Sequence, residues 1–338
     1  MYNQLRHFRV LIFDTDTVLA DMLKEMLKHM GFHSLQLAHN TRRAMEMLER
    51  ECPDFLIMDW GVSGAEGADF VAAVRRNVKI ANPALPIVLL SRRAEVSDIK
   101  LARDTGVNEY IIKPFSAKAI YERLERLVEA PRYYISSKAY TGPDRRTRQM
   151  EPPAGRKDGR IARILPKLQP QDPKLLIEAE QPQIWMPNFS MKHKIGQDVT
   201  LASIITPAVL NQAQATMDEA TAQSAQWIKS DVDILYGLYE TLRAMNGSQA
   251  VVDEISNASL MVSSRAGTFG YLGASEAAYM LYLFCRNALK YTHASHHAVI
   301  EKHLKVIRHI IDNNVRGNNP EIVEVVGALR VLAQRYSK

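Results

Sequence analysis

The sequence predicts an α/β fold over residues 1–130, a doubly wound parallel sheet of five strands. A basic proline-rich linker over 131–202 and an all-α helical bundle over 203–338 follow it. Three observations carry this reading. Residues 8–129 alternate short apolar runs with helical periods, the pattern of strands and crossover helices in a parallel sheet. Nine of the fifteen prolines fall between Pro131 and Pro187, where helical periodicity is absent. From Thr206 onward the apolar spacing is helical and no strand pattern appears.

Each element follows from local chemistry. Val10-Leu11-Ile12-Phe13 is an unbroken apolar run, as a strand buried on both faces requires. Val18, Leu19, Met22, Met26, Leu27 and Met30 recur at helical spacing, and Gly31 stands where a helix commonly ends. His33 to Ala38 alternates as a second strand, and Asn40 or Thr41 can cap a helix through Leu48. Phe55-Leu56-Ile57-Met58 is a third strand ending at Asp59, followed by a helix from about Glu66 to Arg76. Pro86 to Leu90 is a fourth strand ending at Ser91, and the helix from Asp98 to Thr105 stops at Gly106. Tyr110-Ile111-Ile112 is a fifth strand ending at Lys113-Pro114, and Ser116 can cap a last helix through Glu129.

Between Arg132 and Lys167 ten Lys/Arg stand against three Asp/Glu, so this stretch reads as a solvated, partly extended linker. Ile184, Trp185, Met186 and Phe189 are too apolar to stay free and are expected to dock on a domain. Helices are expected over 207–228, 231–245, 248–264, 274–290, 294–314 and 320–336. Thr206-Pro207 and Asn319-Pro320-Glu321 open two of them with a cap followed by proline, and Asn246-Gly247 separates another two. Short breaks between such helices predict antiparallel packing.

The totals are ordinary for a globular protein: 46% apolar, 24% charged, formal net charge +6. The positive balance permits a nucleic-acid or acidic partner without requiring one. Two cysteines, Cys52 and Cys285, form no metal-type spacing, which fits a reducing cytoplasm. The polar start, Met1 to Arg9, has no signal-peptide pattern, and the apolar stretch Ala277 to Cys285 is too short to span a bilayer. A cytoplasmic protein without membrane insertion is expected.

Four polar residues follow strands at the edge where such sheets bind ligands: Asp14, Asp59, Ser91 and Lys113. Together they match one chemistry. A carboxylate can attack phosphorus and form an aspartyl phosphate. A divalent ion held with a second carboxylate would neutralise attacker and phosphoryl oxygens. A lysine supplies a point charge, and a hydroxyl can donate to the attached group.

The motifs VLIFDTD (10–16), DFLIMDWGVSGAEG (54–67), PIVLLS (86–91) and EYIIKPF (109–115) resemble those of the receiver domain of bacterial response regulators, over the whole of residues 8–129. The resemblance implies a CheY-like, flavodoxin-like sheet of order 2-1-3-4-5. It implies Asp59 as phospho-acceptor, Ser91 as switch hydroxyl, Lys113 as phosphate-binding lysine and Mg2+ as the ion. It also implies that Asp14, Asp59 and the Gly61 carbonyl hold the metal, that Tyr110 is an aromatic switch, and that the Lys113–Pro114 bond is often cis. The partner so implied is a sensor histidine kinase. The chain would then be no enzyme beyond self-catalysed phosphoryl transfer to Asp59.

One position departs from the pattern. Two adjacent acids usually follow the first strand, but Asp14 is followed by Thr15, with the next acid at Asp16. A hydroxyl is a weaker Mg2+ ligand than a carboxylate, so weaker metal binding and slow phosphorylation are expected, with Asp16 as an additional ligand candidate. A pseudo-receiver scaffold is the alternative this motivates.

Elsewhere the signals are weaker. YTGPDRRTR (140–148) resembles the basic tail after many alphaproteobacterial single-domain receivers, and reads otherwise as a charged linker. SSRAGTFGYLGASEAAYMLYLFC (263–285) resembles the glycine-bearing segment of histidine phosphotransfer domains, yet no histidine stands in residues 256–261 where one belongs. Such a domain would serve docking or homodimerisation, with a protein partner left open. His293, His296 and His297 have a spacing usable by metal ligands but lack further donors except Glu301, and His303 and His309 read as surface positions. No helix–turn–helix with a basic recognition helix is evident, which weighs against a DNA-binding response regulator, and no GGDEF, EAL or HD motif marks an output enzyme.

Overall fold

The computed structural model describes residues 4–62, 66–145, 163–164, 183–185, 187, 191–245, 247–287 and 294–336. The chain divides into two compact units, Met1–Met217 and Asp218–Lys338.

The first unit is built on five parallel strands: β1 (Arg9–Phe13), β2 (Ser34–Ala38), β3 (Phe55–Asp59), β4 (Ile87–Ser91) and β5 (Glu109–Ile112). Their order is β2-β1-β3-β4-β5, as the resemblance implies. Helices α1 (Thr17–His29), α2 (Thr41–Glu51), α3 (Glu66–Arg76), α4 (Val96–Thr105) and α5 (Ala117–Glu129) connect and follow them. The apolar runs read as strands are buried without a break in β3 and β4. Caps form where the side chains allow. Asn40 Oδ1 accepts from the Arg43 amide at 2.8 Å, and Ser116 Oγ accepts from the Ala119 amide at 3.1 Å. Gly106, at φ 103°, ends α4 in a left-handed conformation that suits glycine.

Past residue 130 the structure differs from a plain linker. β6 (Tyr134–Ser136) and β7 (Thr141–Pro143) pair antiparallel, and β8 (Arg163–Ile164) and β9 (Gln183–Trp185) complete a second sheet of order β7-β6-β9-β8. Composition hid this, because proline and arginine dominate the segment while two tyrosines fix it. Tyr134 is fully buried and its hydroxyl donates to the Pro83 carbonyl, while Tyr140 donates to the Pro143 carbonyl at 2.7 Å. Ile184 is buried and pairs with Ile135, which meets the docking expectation for that residue. Met186 and Phe189 lie outside the described residues, as do Arg146, Thr147 and Arg148 of the basic tail. Of that tail, Arg145 pairs with Asp104 at 2.9 Å and lies over the Tyr140 ring.

Three further helical pieces belong to this unit: α6 (Met191–Ile195), α7 (Leu201–Ile204) and the start of α8 (Pro207–Ala244). They run along α5. Lys192 pairs with Glu129 at 2.6 Å, the Leu201 amide donates to the same carboxylate at 3.0 Å, and Gln214 Oε1 accepts from the Ala117 amide at 2.9 Å. Ile195, Leu201, Ile204, Ile205, Val209, Ala213 and Met217 of this stretch are buried. An apolar strap of this kind stabilises through area removed from water, at roughly 25 cal/mol per Å².

The second unit is helical. α9 (Gln249–Thr268), α10 (Leu272–Asn287), α11 (Ala294–Asp312) and α12 (Pro320–Tyr336) follow α8. The break expected after residue 228 is absent, and α8 runs unbroken to Ala244. Ile228, Val232 and Leu235 continue one buried stripe through the expected gap. The gap expected between residues 264 and 274 shrinks to a short turn, because α9 continues to Thr268 with Gly267 buried and α10 starts at Leu272. Asn246 lies outside the described residues. Ser263 and Ser275 exchange hydroxyl-to-carbonyl bonds of 2.7 Å each, closing α9 on α10 with small residues.

His303 corrects a surface assignment: it is fully buried, with Nδ1 2.7 Å from the Val299 carbonyl. It lies in register with Ile300, Leu304, Ile307 and Ile311, so the buried stripe is wider than apolar residues alone mark. Burial holds its imidazole below the usual histidine pKa.

Arg316 joins the helix ends. Its guanidinium donates to the Phe269 and Thr221 carbonyls and to the Tyr271 hydroxyl, at 3.4, 3.1 and 2.8 Å. Replacing Arg316 by Ala leaves those acceptors short of a donor and is expected to destabilise the second unit by about 1–3 kcal/mol, read as a lower midpoint in urea.

Candidate functional site

Strand register builds the site. Phe13 stands beside Met58, so Asp14 and Asp59, one residue further on, leave the sheet at the same level. Asp59 stands beside Leu90, so Ser91 follows it by one step. Ser91 stands beside Ile112, so Lys113 comes next. Four side chains expected together are therefore together at the carboxyl edge. All are buried, Asp14 and Asp59 at 4%, Ser91 at 1% and Lys113 at 3% exposure.

Lys113 Nζ lies 3.3 Å from Asp59 Oδ2, an ion pair sealed from water. A Cβ on Gly61 would stand 3.1 Å from that same oxygen, so glycine keeps the flank of the Asp59 carboxylate open. The Lys113–Pro114 peptide is cis. Burial raises the Asp14 pKa well above its ordinary value, and the charge of Asp59 raises it further, against a lowering effect of Lys113. Two buried carboxylates thus share one lysine.

This has a consequence for stability. A carboxyl with a raised folded pKa favours folding while protonated, and that contribution is lost as pH rises through the folded pKa. Asp14→Asn is therefore expected to raise the melting temperature at pH 7. Its advantage should shrink as pH falls toward the ordinary aspartate value of 3.8. Melting curves at several pH values check this.

Asp16 serves α1. Its Oδ1 accepts from the Val18 and Leu19 amides at 3.0 and 3.3 Å, and its own amide donates to Asp14 Oδ1 at 2.9 Å. The shift of the second acid by one residue thus supplies an N-cap, while Thr15 is exposed.

Ser91 Oγ accepts from the Arg93 amide at 3.0 Å. The Tyr110 hydroxyl donates to the Arg93 carbonyl at 2.6 Å. Burial raises the Tyr110 pKa, opposed by the nearby Ser91 hydroxyl. The ring is half-buried against the core, so its hydroxyl already reads the loop after β4. Sequence reasoning named Ser91 and Tyr110 separately, and the hydroxyl-to-loop link between them needs coordinates. Beside it, Ile99, Ile112, Pro114, Phe115 and Arg123 line an open groove of about 590 Å³.

Among the described residues no three His, Cys, Asp or Glu side chains gather as a metal cluster. His293 lies outside those residues. His296 stacks edge-on with Phe284, and His297 lies against Tyr239. Among the described residues no helix is long and apolar enough to cross a membrane.

A doubly wound sheet with two acids, a hydroxyl and a lysine at its carboxyl edge defines a module of receiver type. Comparison with known proteins agrees. The model of the response regulator receiver domain matches residues 10–125. The chemotaxis protein CheY-3 of Vibrio cholerae is 30% identical over 124 residues, covering 37% of this chain and 94% of that protein. The chain belongs to the response regulator receiver family. The phosphate regulon transcriptional regulatory protein PhoB of Escherichia coli is 28% identical over 120 residues, 36% of this chain and about half, 51%, of that protein. The solved structure of the chemotaxis response regulator CheY4 of Vibrio cholerae is 23% identical, covering 35% of this chain and 97% of that one at a TM-score of 0.33.

Proposed function

We propose that the chain is a two-component response regulator whose Asp59 accepts a phosphoryl group from a sensor histidine kinase. The observation that carries this is the buried Asp59–Lys113 pair at the carboxyl edge, 3.3 Å apart and open on the Gly61 side. An Asp59 carboxylate oxygen attacks phosphorus, the bond from phosphorus to the donor nitrogen breaks, and an acyl phosphate forms. Lys113 offsets charge on the transferred oxygens, and the Ser91 hydroxyl turns from the Arg93 amide to donate to one of them.

The donor set suits Mg2+. Asp14 and Asp59 are hard oxygen donors whose mutual repulsion a cation relieves, and the Gly61 carbonyl completes the set that the family pattern implies. When bound, the ion neutralises carboxylate and phosphoryl charge together. Thr15 and the capping duty of Asp16 make this binding weaker than two adjacent acids would give. The family match over residues 10–125 supports the reading without reaching the second unit.

Movement of Ser91 would release the Tyr110 hydroxyl from its loop contact and alter the groove beside α4 and α5. That face, or the helical region, then meets a protein partner in the cytoplasm. The chain turns over no substrate of its own beyond the phosphoryl group.

The test is incubation of the purified chain with Mg2+ and acetyl phosphate, read by intact mass. Uptake of one base-labile phosphoryl group supports the proposal. No uptake, together with no binding of beryllofluoride, would replace it with a pseudo-receiver acting as a constitutive docking module.

A further inference from the structure

Helix α12 carries two apolar faces. The inner one buries Val326, Leu329 and Ala333. The outer one exposes Val323 at 59% and Val331 at 67%. Gly327 stands midway between them, and a Cβ built on it meets no atom within 4 Å. Residues four apart share a face, so Val323, Gly327 and Val331 form one outward stripe about 12 Å long.

The charges along this helix are ordered about the same glycine. Glu321 and Glu324 precede it, and Arg330 and Arg335 follow it. Glu324 lies three residues before Gly327 and Arg330 three after. An extended acidic partner would be repelled by the first half and a basic one by the second. The surface that fits is apolar in the centre with the reverse order of charge, and α12 read in the opposite direction supplies it.

We propose that α12 is the surface through which two copies of this chain associate, crossing antiparallel on a two-fold axis at Gly327. Val323 of one copy then meets Val331 of the other, and Glu324 lies level with Arg330 of the second copy. The arrangement is isologous, so both copies make every contact at once. Glycine at the crossing point lets the backbones approach. A parallel arrangement would instead set Glu324 against Glu324 and Arg330 against Arg330. Arg330 also pairs with Glu276 in its own chain at 2.8 Å, yet its side chain stays 59% exposed with donors to spare. One helix pair is a small interface, so association is expected to be weak and dependent on concentration.

Sedimentation velocity of the full chain across a rising concentration series tests this. The average mass should climb from one copy toward two. Val331→Glu should hold the chain monomeric throughout, with an unchanged helical circular-dichroism signal. Glu324→Arg should weaken association by about tenfold, and adding Arg330→Glu to it should restore the affinity. The second change also gives up the Glu276 pair, an exposed contact of small worth. A wild-type chain that stays monomeric overturns the proposal. So does a dimer that survives Val331→Glu, since another face then holds it. So does failure of the double charge reversal to restore association. If Val331→Glu unfolds the chain, Gly327→Cys with Cys52→Ser decides: mild oxidation gives a disulfide-linked dimer if the helices cross at Gly327, and none if they do not.

Discussion

Asp59→Asn should leave the full chain unable to take up a phosphoryl group, a loss of at least about a hundredfold against wild type. The amide keeps the shape of the side chain but not its nucleophilic charge. Neither neighbouring acid replaces it. Burial still holds Asp14 toward its neutral form in the variant, and Asp16 is engaged in capping α1. The same substitution removes the like charge facing Asp14, so the variant should also melt higher than wild type at neutral pH. The two readouts belong together. Loss of uptake with a raised melting temperature marks a chemical defect in an intact fold. Undiminished uptake would mean that another carboxylate is the acceptor, and peptide mass mapping would then locate it.

Why so much of this centre was legible in the sequence follows from parallel-sheet geometry. A strand buried on both faces writes itself as an apolar run, and the residue after the run is by construction at the carboxyl edge. Asp14, Asp59, Ser91 and Lys113 could be named from that rule, and strand register places them side by side. The cap at Asp16 was less legible, because an acid two residues past a strand reads equally as a ligand or as a helix start. Only the bonds to the Val18 and Leu19 amides decide between them. The segment after residue 130 was misread for another reason. Its solvated composition outvoted Tyr134 and Tyr140, whose roles depend on a surface made by residues far away in sequence. Likewise His303 reads as polar on any scale, and its burial is decided by the helices packed around it.

The largest stability effect should come from Arg75, the bulkiest of the fully buried side chains. Its guanidinium donates to the Gly106 carbonyl through Nε at 2.9 Å and through Nη2 at 2.7 Å, to the Leu85 carbonyl at 2.6 Å, and to Asn108 Oδ1 at 2.8 Å. It also faces the Tyr134 ring at 5.6 Å. One side chain thereby ties α3 to the loops entering β4 and β5 and to the β6–β7 hairpin. Gly106 has no room for a side chain here, because a Cβ would lie 2.9 Å from the Thr141 carbonyl and 3.2 Å from Arg75. Arg75→Met keeps the apolar stem and removes every donor, leaving buried carbonyls unsatisfied at about 1–3 kcal/mol each. Some of that is offset because a buried charge no longer needs solvating. A net loss of about 2–4 kcal/mol is expected in urea unfolding of the first unit, against almost none for the exposed neighbour Arg76→Met. Because these contacts lie at the amino ends of β4 and β5, opposite the acceptor edge, phosphoryl uptake at Asp59 well below the melting temperature should be unchanged. If Arg75→Met proves as stable as Arg76→Met, the hairpin is held by its tyrosines and not by this fork. If uptake falls as well, the two ends of the sheet are coupled and the hairpin belongs to the switch.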